Sequence, residues 1–179
     1  MKRYITGCDG SESAEVIRST SFGCPGTRFC GMFPANAILS LGDDAMVAQN
    51  LFNFWLAEDG KSGPDQGFIL DLGCAKFAHG VRIKNAQNRN YRDRGTKKFR
   101  LLSSKSSPSG PWKTILEGDL DDIKSKKVQP IKQLTFETPA VARFVKFELL
   151  EFWGKGGGLQ HFVVLTTDDK GGNLIISLA

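Results

Sequence analysis

Residues 85–96 (NAQNRNYRDRGT) form an almost wholly polar stretch flanked by short apolar segments, and this juxtaposition restricts the fold more than any other feature of the chain. Residues 68–72, 81–83 and 99–102 have the length and the β-branched or aromatic content of strands. The polar stretch between the last two holds five Asn, Gln or Asp residues, three Arg and one Tyr. Such a segment cannot bury its own backbone, so it must cross the surface as a loop held at both ends by a sheet. A rigid scaffold that displays arginine, amide and tyrosine groups is a device for recognition.

The same texture extends along the 179 residues. Phe (13) and Gly (20) are abundant, long helical periodicity is absent, and short apolar segments are divided by Gly, Pro, Ser and Asp clusters. This pattern predicts an all-β sandwich, and the length fits one domain with a core of its own. Strand-like segments fall at 16–17, 68–72, 81–83, 99–102, 112–116, 131–136, 142–152 and 159–165, with 173–179 as a further strand or arm. Within 142–152, Val145, Phe147 and Leu149 share one face, and Phe144, Lys146 and Glu148 form the opposite, outward set. Trp55, in the segment 53–59, and Trp112 read as core residues. Residues 45–51 suggest a helical turn, 119–130 a charged and mobile connection, and 154–158 (GKGGG) a flexible surface loop.

The net charge of +5 is unevenly placed: residues 82–100 hold eight Lys or Arg against one Asp, a local +7, which leaves −2 for the remainder. A basic patch favours anionic partners, although strand alternation makes Arg82, Lys84, Lys98 and Arg100 the wet face of two strands. Nucleic acid is disfavoured, because no recognition motif is present and Phe99 should point inward. No apolar run is long enough to cross a bilayer, and Lys2 and Arg3 are not followed by the apolar region of a secretory signal. Cys24 and Cys30 flank a Pro-Gly turn and can close a small loop or remain buried thiols; the state of Cys8 and Cys74 stays equally open. With two His and no C-x-x-C pair, a zinc site is disfavoured.

Several motifs, in this order, resemble the discoidin domain, also called the coagulation-factor type C domain, of the galactose-binding-like folds. They are FWLAEDG (54–60), GFILDLG (67–73), GVRIKNAQN (80–88), YRDRGTKKFRLLSS (91–104), GPWKTILEG (110–118), ARFVKFELL (142–150) and GKGGGLQHF (154–162). The resemblance implies a jelly-roll β-sandwich of about eight main antiparallel strands over residues 13–165, with a peripheral segment 1–12 and an extension 166–179. It also implies a noncatalytic module that binds glycans, acidic phospholipid head groups or protein ligands through loops at one end, in an extracellular or cell-surface setting. In sugar-binding relatives an Arg and an amide of the loop between the two middle strands hold hydroxyls, while an aromatic from a neighbouring loop stacks on the ring. The matching positions here are Asn88, Arg89, Asn90, Tyr91 and Arg92, with Trp153 as the aromatic. Asp93, Arg94, Gly95 and Thr96 read instead as a structural turn.

Many relatives hold a structural calcium in an acidic loop before the first Trp, completed by an acidic residue near the last strand. This chain has Leu39-Ser40-Leu41-Gly42 where the acidic turn belongs, Asp43 and Asp44 later, and Gln160 at the late position. Hard cations prefer carboxylates, so no cofactor is required, and calcium is left only as an option through loop carbonyls with Asp43 or Asp44. Catalysis is not expected, because Asp59, Asp71, Glu148 and Glu151 suggest no acid–base pairing and His79 and His161 lie far apart. Phe29, Met32 and Phe33 are the candidate apolar spikes for a lipid-binding alternative. The expectation is therefore a glycan-binding and cell-adhesion module, with anionic lipid or a protein ligand as the alternative partner.

Overall fold

The computed structural model describes residues 15–19, 54–86, 91–125, 128–167 and 173–176, with the side chains of 15–19 and 173–176 left aside. All regular structure among the described residues is β: β1 (Glu15–Ser19), β2 (Trp55–Leu56), β3 (Gly67–Asn85), β4 (Arg94–Ser104), β5 (Lys113–Asp119), β6 (Ile131–Gly154), β7 (Gly158–Thr167) and β8 (Asn173–Ile176). Every strand pairing is antiparallel, in the order β2-β7-β3-β6-β4-β5, with β1 added to β3 and β8 to β7.

Two long strands make this one continuous ladder into two layers. The first part of β3 pairs Phe68 with Phe147 and Asp71 with Phe144; after a register shift its second part pairs Val81 with Leu134 and Lys84 with Ile131. β6 thus gives its second half to a layer with β1, β4 and β5, and its first half to a layer with β7. Strands that pass from one sheet to the other at a bulged corner are a recognised way of closing a sandwich. The segments 68–72 and 81–83, read from sequence as separate strands, are two arms of β3, just as 131–136 and 142–152 are two arms of β6.

The alternating apolar residues fill the space between the layers. Phe68, Leu70, Leu72, Phe99, Leu101, Val145, Phe147 and Leu149 meet Val81, Phe136, Phe162 and Val164, with Trp55 among them. Phe147 is the hub: it stacks on Phe68 (5.1 Å) and Phe99 (5.7 Å), and meets Trp55 (5.6 Å) and Phe162 (5.9 Å) edge-on. Trp55 is fully buried as expected, whereas Trp112 is only half-buried and stands outside this core.

The outward set of β6 departs from the simple alternation. Phe144 and Glu148 are buried, and Glu148 accepts hydrogen bonds from Arg100 Nε (2.9 Å) and Nη2 (2.7 Å) while Lys146 Nζ lies at 2.6 Å. A carboxylate taken from water needs such partners, and here two cations on adjacent strands supply them. Lys84 likewise is not on a wet face: β6 and β7 flank it on both sides and only 2% of it is exposed. Cys74 is disulfide-bonded, and Cys8, Cys24 and Cys30 all lie outside the described residues, as do 45–51.

Candidate functional site

Both ends of β3, both ends of β6, the start of β4 and the start of β7 converge on one pole of the sandwich, because β3 and β6 each run to the far corner and return. Ala86 and residues 91–93, the described ends of the loop 86–93, lie at this pole. The neck of the loop is closed by one side chain. Asn85 Oδ1 accepts from Thr96 N (2.8 Å), and Asn85 Nδ2 donates to Thr96 O (2.8 Å) and Asp121 O (3.2 Å). An amide carries the same donor–acceptor pair as a peptide, so Asn85 acts as an extra rung of ladder between β3 and β4.

The glycine-rich stretch 154–158, expected to be flexible, is pinned by backbone hydrogen bonds. Lys155 N donates to Asp93 O (2.6 Å), while Lys155 O, Gly156 O and Gly157 O accept from Gly60 N (2.8 Å), Gly95 N (2.9 Å) and Ala57 N (3.0 Å). Glycine is required by close approach rather than by mobility: a Cβ on Gly154, which has φ +78°, would strike the Asp93 carbonyl. Arg94 is buried at the centre of this pole, where its guanidinium meets the Asp59 carboxylate and Ala57 O (3.5 Å). The described residues of the connection 119–130 are also tied down: Leu120 and Ile123 are buried, and Gln129 Nε2 donates to Asp122 O and Ile123 O (both 3.4 Å).

On this platform the described candidates separate. Tyr91 is 73% exposed, and Arg92 comes next, half-buried, with φ +49°, where a non-glycine residue is held only by its surroundings. The register Arg94 with Gly154 and Gly95 with Trp153 places them beside the end of β6. Trp153 is more committed. Its indole N–H donates to Leu120 O (3.1 Å), and Lys97 Nζ sits 5.2 Å from the ring centroid, so one face already carries a cation. Trp153→Ala should therefore lower stability by about 1–3 kcal/mol through the lost hydrogen bond and packing, read by urea denaturation. Trp153→Phe, which keeps a ring, should recover most of it. Asn88, Arg89 and Asn90 lie outside the described residues, as do Phe29, Met32 and Phe33.

Four of the eight basic residues of 82–100, namely Arg94, Lys97, Lys98 and Arg100, lie in ion pairs. Lys97 and Lys98 share Glu151 (2.6 and 3.3 Å), and Arg100 lies between Glu148 and Glu117. Hydrogen bonds from Lys97 and then Lys98 hold the Glu151 carboxyl below its ordinary range. The carboxylates weighed for catalysis are each in an ion pair: Asp59 with Arg94, Asp71 with Arg143, Glu148 with Arg100, and Glu151 with the two lysines. Sequence reasoning missed the Asn85 clamp and the Asp59–Arg94 pair. The signal for the latter was FWLAEDG itself, where an acidic residue stands just before a turn glycine.

Gln160 is a neutral amide on β7, residues 36–44 lie outside the described residues, and among the described residues no group of three or more His, Cys, Asp or Glu is placed to hold a metal ion.

Solved structures share this architecture. The family 32 carbohydrate-binding module of NanJ from Clostridium perfringens, solved with galactose, superposes with a TM-score of 0.56 at 17% identity, covering 85% of this chain and 91% of that one. The corresponding module of AlyQ, solved with 4,5-unsaturated mannuronic acid, gives 0.55 at 19% identity over 84% and 95%. A chitosan-binding module of a chitosanase/glucanase from Paenibacillus sp. IK-5, solved with chitotriose, gives 0.57 at 18% over 85% and 94%. At these identities the likeness establishes the β-sandwich fold. No curated protein sequence matches the chain at a significant level. The model of the F5/8 type C domain matches residues 31–164, three quarters of the sequence, and with the two-layered strand order this chain belongs to that family.

Proposed function

We propose that this domain binds a glycan without altering it, at the pole where the loop 86–93 emerges beside the end of β6. The observation that carries this reading is the exposure of Tyr91, 73%, next to Arg92 on a rim whose backbone is fixed from both sides by Asn85 and the pinned stretch 154–158. A carbohydrate presents C–H faces and vicinal oxygens, and a rim offering an aromatic ring beside a guanidinium fork suits both. Rigidity contributes as well, because a pre-ordered site loses less entropy when it captures a small ligand. Asn88, Arg89 and Asn90 belong to the same loop and are proposed as its amide and cationic ligands. The sugars held by the structural neighbours support the ligand class, and the disulfide at Cys74 supports an oxidising, extracellular setting in which adhesion to glycans is useful.

A glycan array probed with the purified domain tests this reading. Tyr91→Ala should weaken the strongest sugar signal about tenfold, the effect of losing roughly 1.4 kcal/mol of contact, while the unfolding free energy stays within about 0.5 kcal/mol of wild type, as for an exposed side chain. Retention by anionic vesicles with no sugar signal would point to the lipid alternative instead.

A further inference from the structure

We infer that the site is charge-selective and takes a sugar bearing an anionic group, a carboxylate or a sulfate ester, with Arg92 as the residue that reads it. This inference rests on the glycan-binding reading above and narrows it. Among the arginines whose side chains are described, the others are engaged: Arg94 by Asp59, Arg100 by Glu148, Arg143 by Asp71, and Arg82 within its own contacts. Arg92 alone among them makes no hydrogen bond or ion pair. Its neighbour Asp93 does not neutralise it, because the Asp93 carboxylate faces Lys155 Nζ at 3.8 Å.

The backbone sharpens the point. Arg92 is the sole described non-glycine residue with positive φ, at +49°. Glycine would occupy that conformation without strain, so an arginine there is a costly choice for a purely structural position. Its C-terminal neighbours impose the strain, since Asp93 O and Gly95 N are fixed to 154–156 and the Arg94 side chain to Asp59. The backbone of Arg92 is therefore held at a set point of the rim, next in sequence to the exposed Tyr91. A planar fork without an internal partner fits two oxygens of one anionic group. A neutral hexose would use the fork only through hydroxyls, with weaker and less oriented bonds.

The test uses matched sets of galactosides, glucosides and mannosides, each as the neutral sugar, the uronate and the 6-sulfate, titrated calorimetrically at low and high salt. For wild type the preferred anionic sugar should bind at least about tenfold more tightly than its neutral counterpart, and high salt should erode that preference. Which anionic form wins identifies the group. Arg92→Gly should abolish the preference without lowering Tm, because the backbone strain is relieved. Arg92→Lys, which keeps the charge but loses the fork, should retain only part of it. Neutral and anionic sugars binding equally well, or an undiminished preference in Arg92→Gly, would overturn the charge-selective site while leaving glycan binding intact. If no sugar of any set binds wild type, the glycan reading fails and this inference falls with it.

Discussion

Replacing Phe147 with alanine should lower the unfolding free energy by about 3–5 kcal/mol, enough to leave a domain of ordinary stability barely folded. Phe147 is fully buried, and it touches four other aromatic residues drawn from β2, β3, β4 and β7. Its removal opens a cavity between the layers that the stacked rings of Phe68 and Phe99 cannot collapse to fill without leaving their strand registers. Urea denaturation of the variant should show a midpoint shifted strongly downward with little change in slope. Phe147→Leu, which leaves a smaller void, should lose less. A loss under about 1 kcal/mol for the alanine variant would mean that the two layers do not close on this residue.

The second large effect is expected at Asn85. Its amide satisfies the peptide N–H and C=O of Thr96 and the carbonyl of Asp121, in a position only 2% exposed. Asn85→Leu removes these partners while filling the space, so the stranded groups cannot recruit water, and about 2–4 kcal/mol should be lost. Asn85→Ala should lose less if a water molecule enters. Function should track stability here. With the neck of the loop 86–93 unclamped, Tyr91 and Arg92 are no longer held at one point, and sugar affinity should fall even at temperatures where the domain stays folded. An Asn85→Leu domain that binds as tightly as wild type would show that the loop is ordered by other means.

Several elements of this structure are legible in the sequence. The segment 99–102 became part of β4 because Phe99, Arg100 and Leu101 alternate where one face meets the core, and 159–165 became β7 because a short apolar run is buried on almost every residue. The fusion of 68–72 with 81–83 was not legible. Around the corner at 73–79 the strand exposes both faces in part, so the apolar alternation lapses although Lys76, Phe77 and Ala78 remain paired with β6. The charge pattern misled for a related reason. Arg100 and Lys98 find their carboxylates on β6, some fifty residues away in sequence, so a run that reads as +7 is partly paired in space.

The polar stretch 85–96 shows the limit most clearly. Composition marks it as a displayed loop, yet Asn85, Arg94 and Thr96 are buried and hold the platform, while the exposed Tyr91 and half-buried Arg92 stand at its rim. An amide that mimics a peptide and an amide that holds a ligand are the same residue in a sequence; only the neighbours distinguish them. The turn residues Asp93 and Gly95 obey the same logic, since their backbones are what fix the glycine-rich stretch. Trp153 combines both tendencies, tied at its nitrogen to Leu120 yet placed at the edge of the rim.

The most direct test is a nuclear magnetic resonance titration of the isotope-labelled domain with the best sugar from the array. The backbone amides of residues 91–94 and the indole N–H of Trp153 should shift together and saturably. Shifts confined to the opposite pole, around the exposed Phe77 and Val141, or no shifts at saturating sugar, would contradict a binding rim at Tyr91 and Arg92.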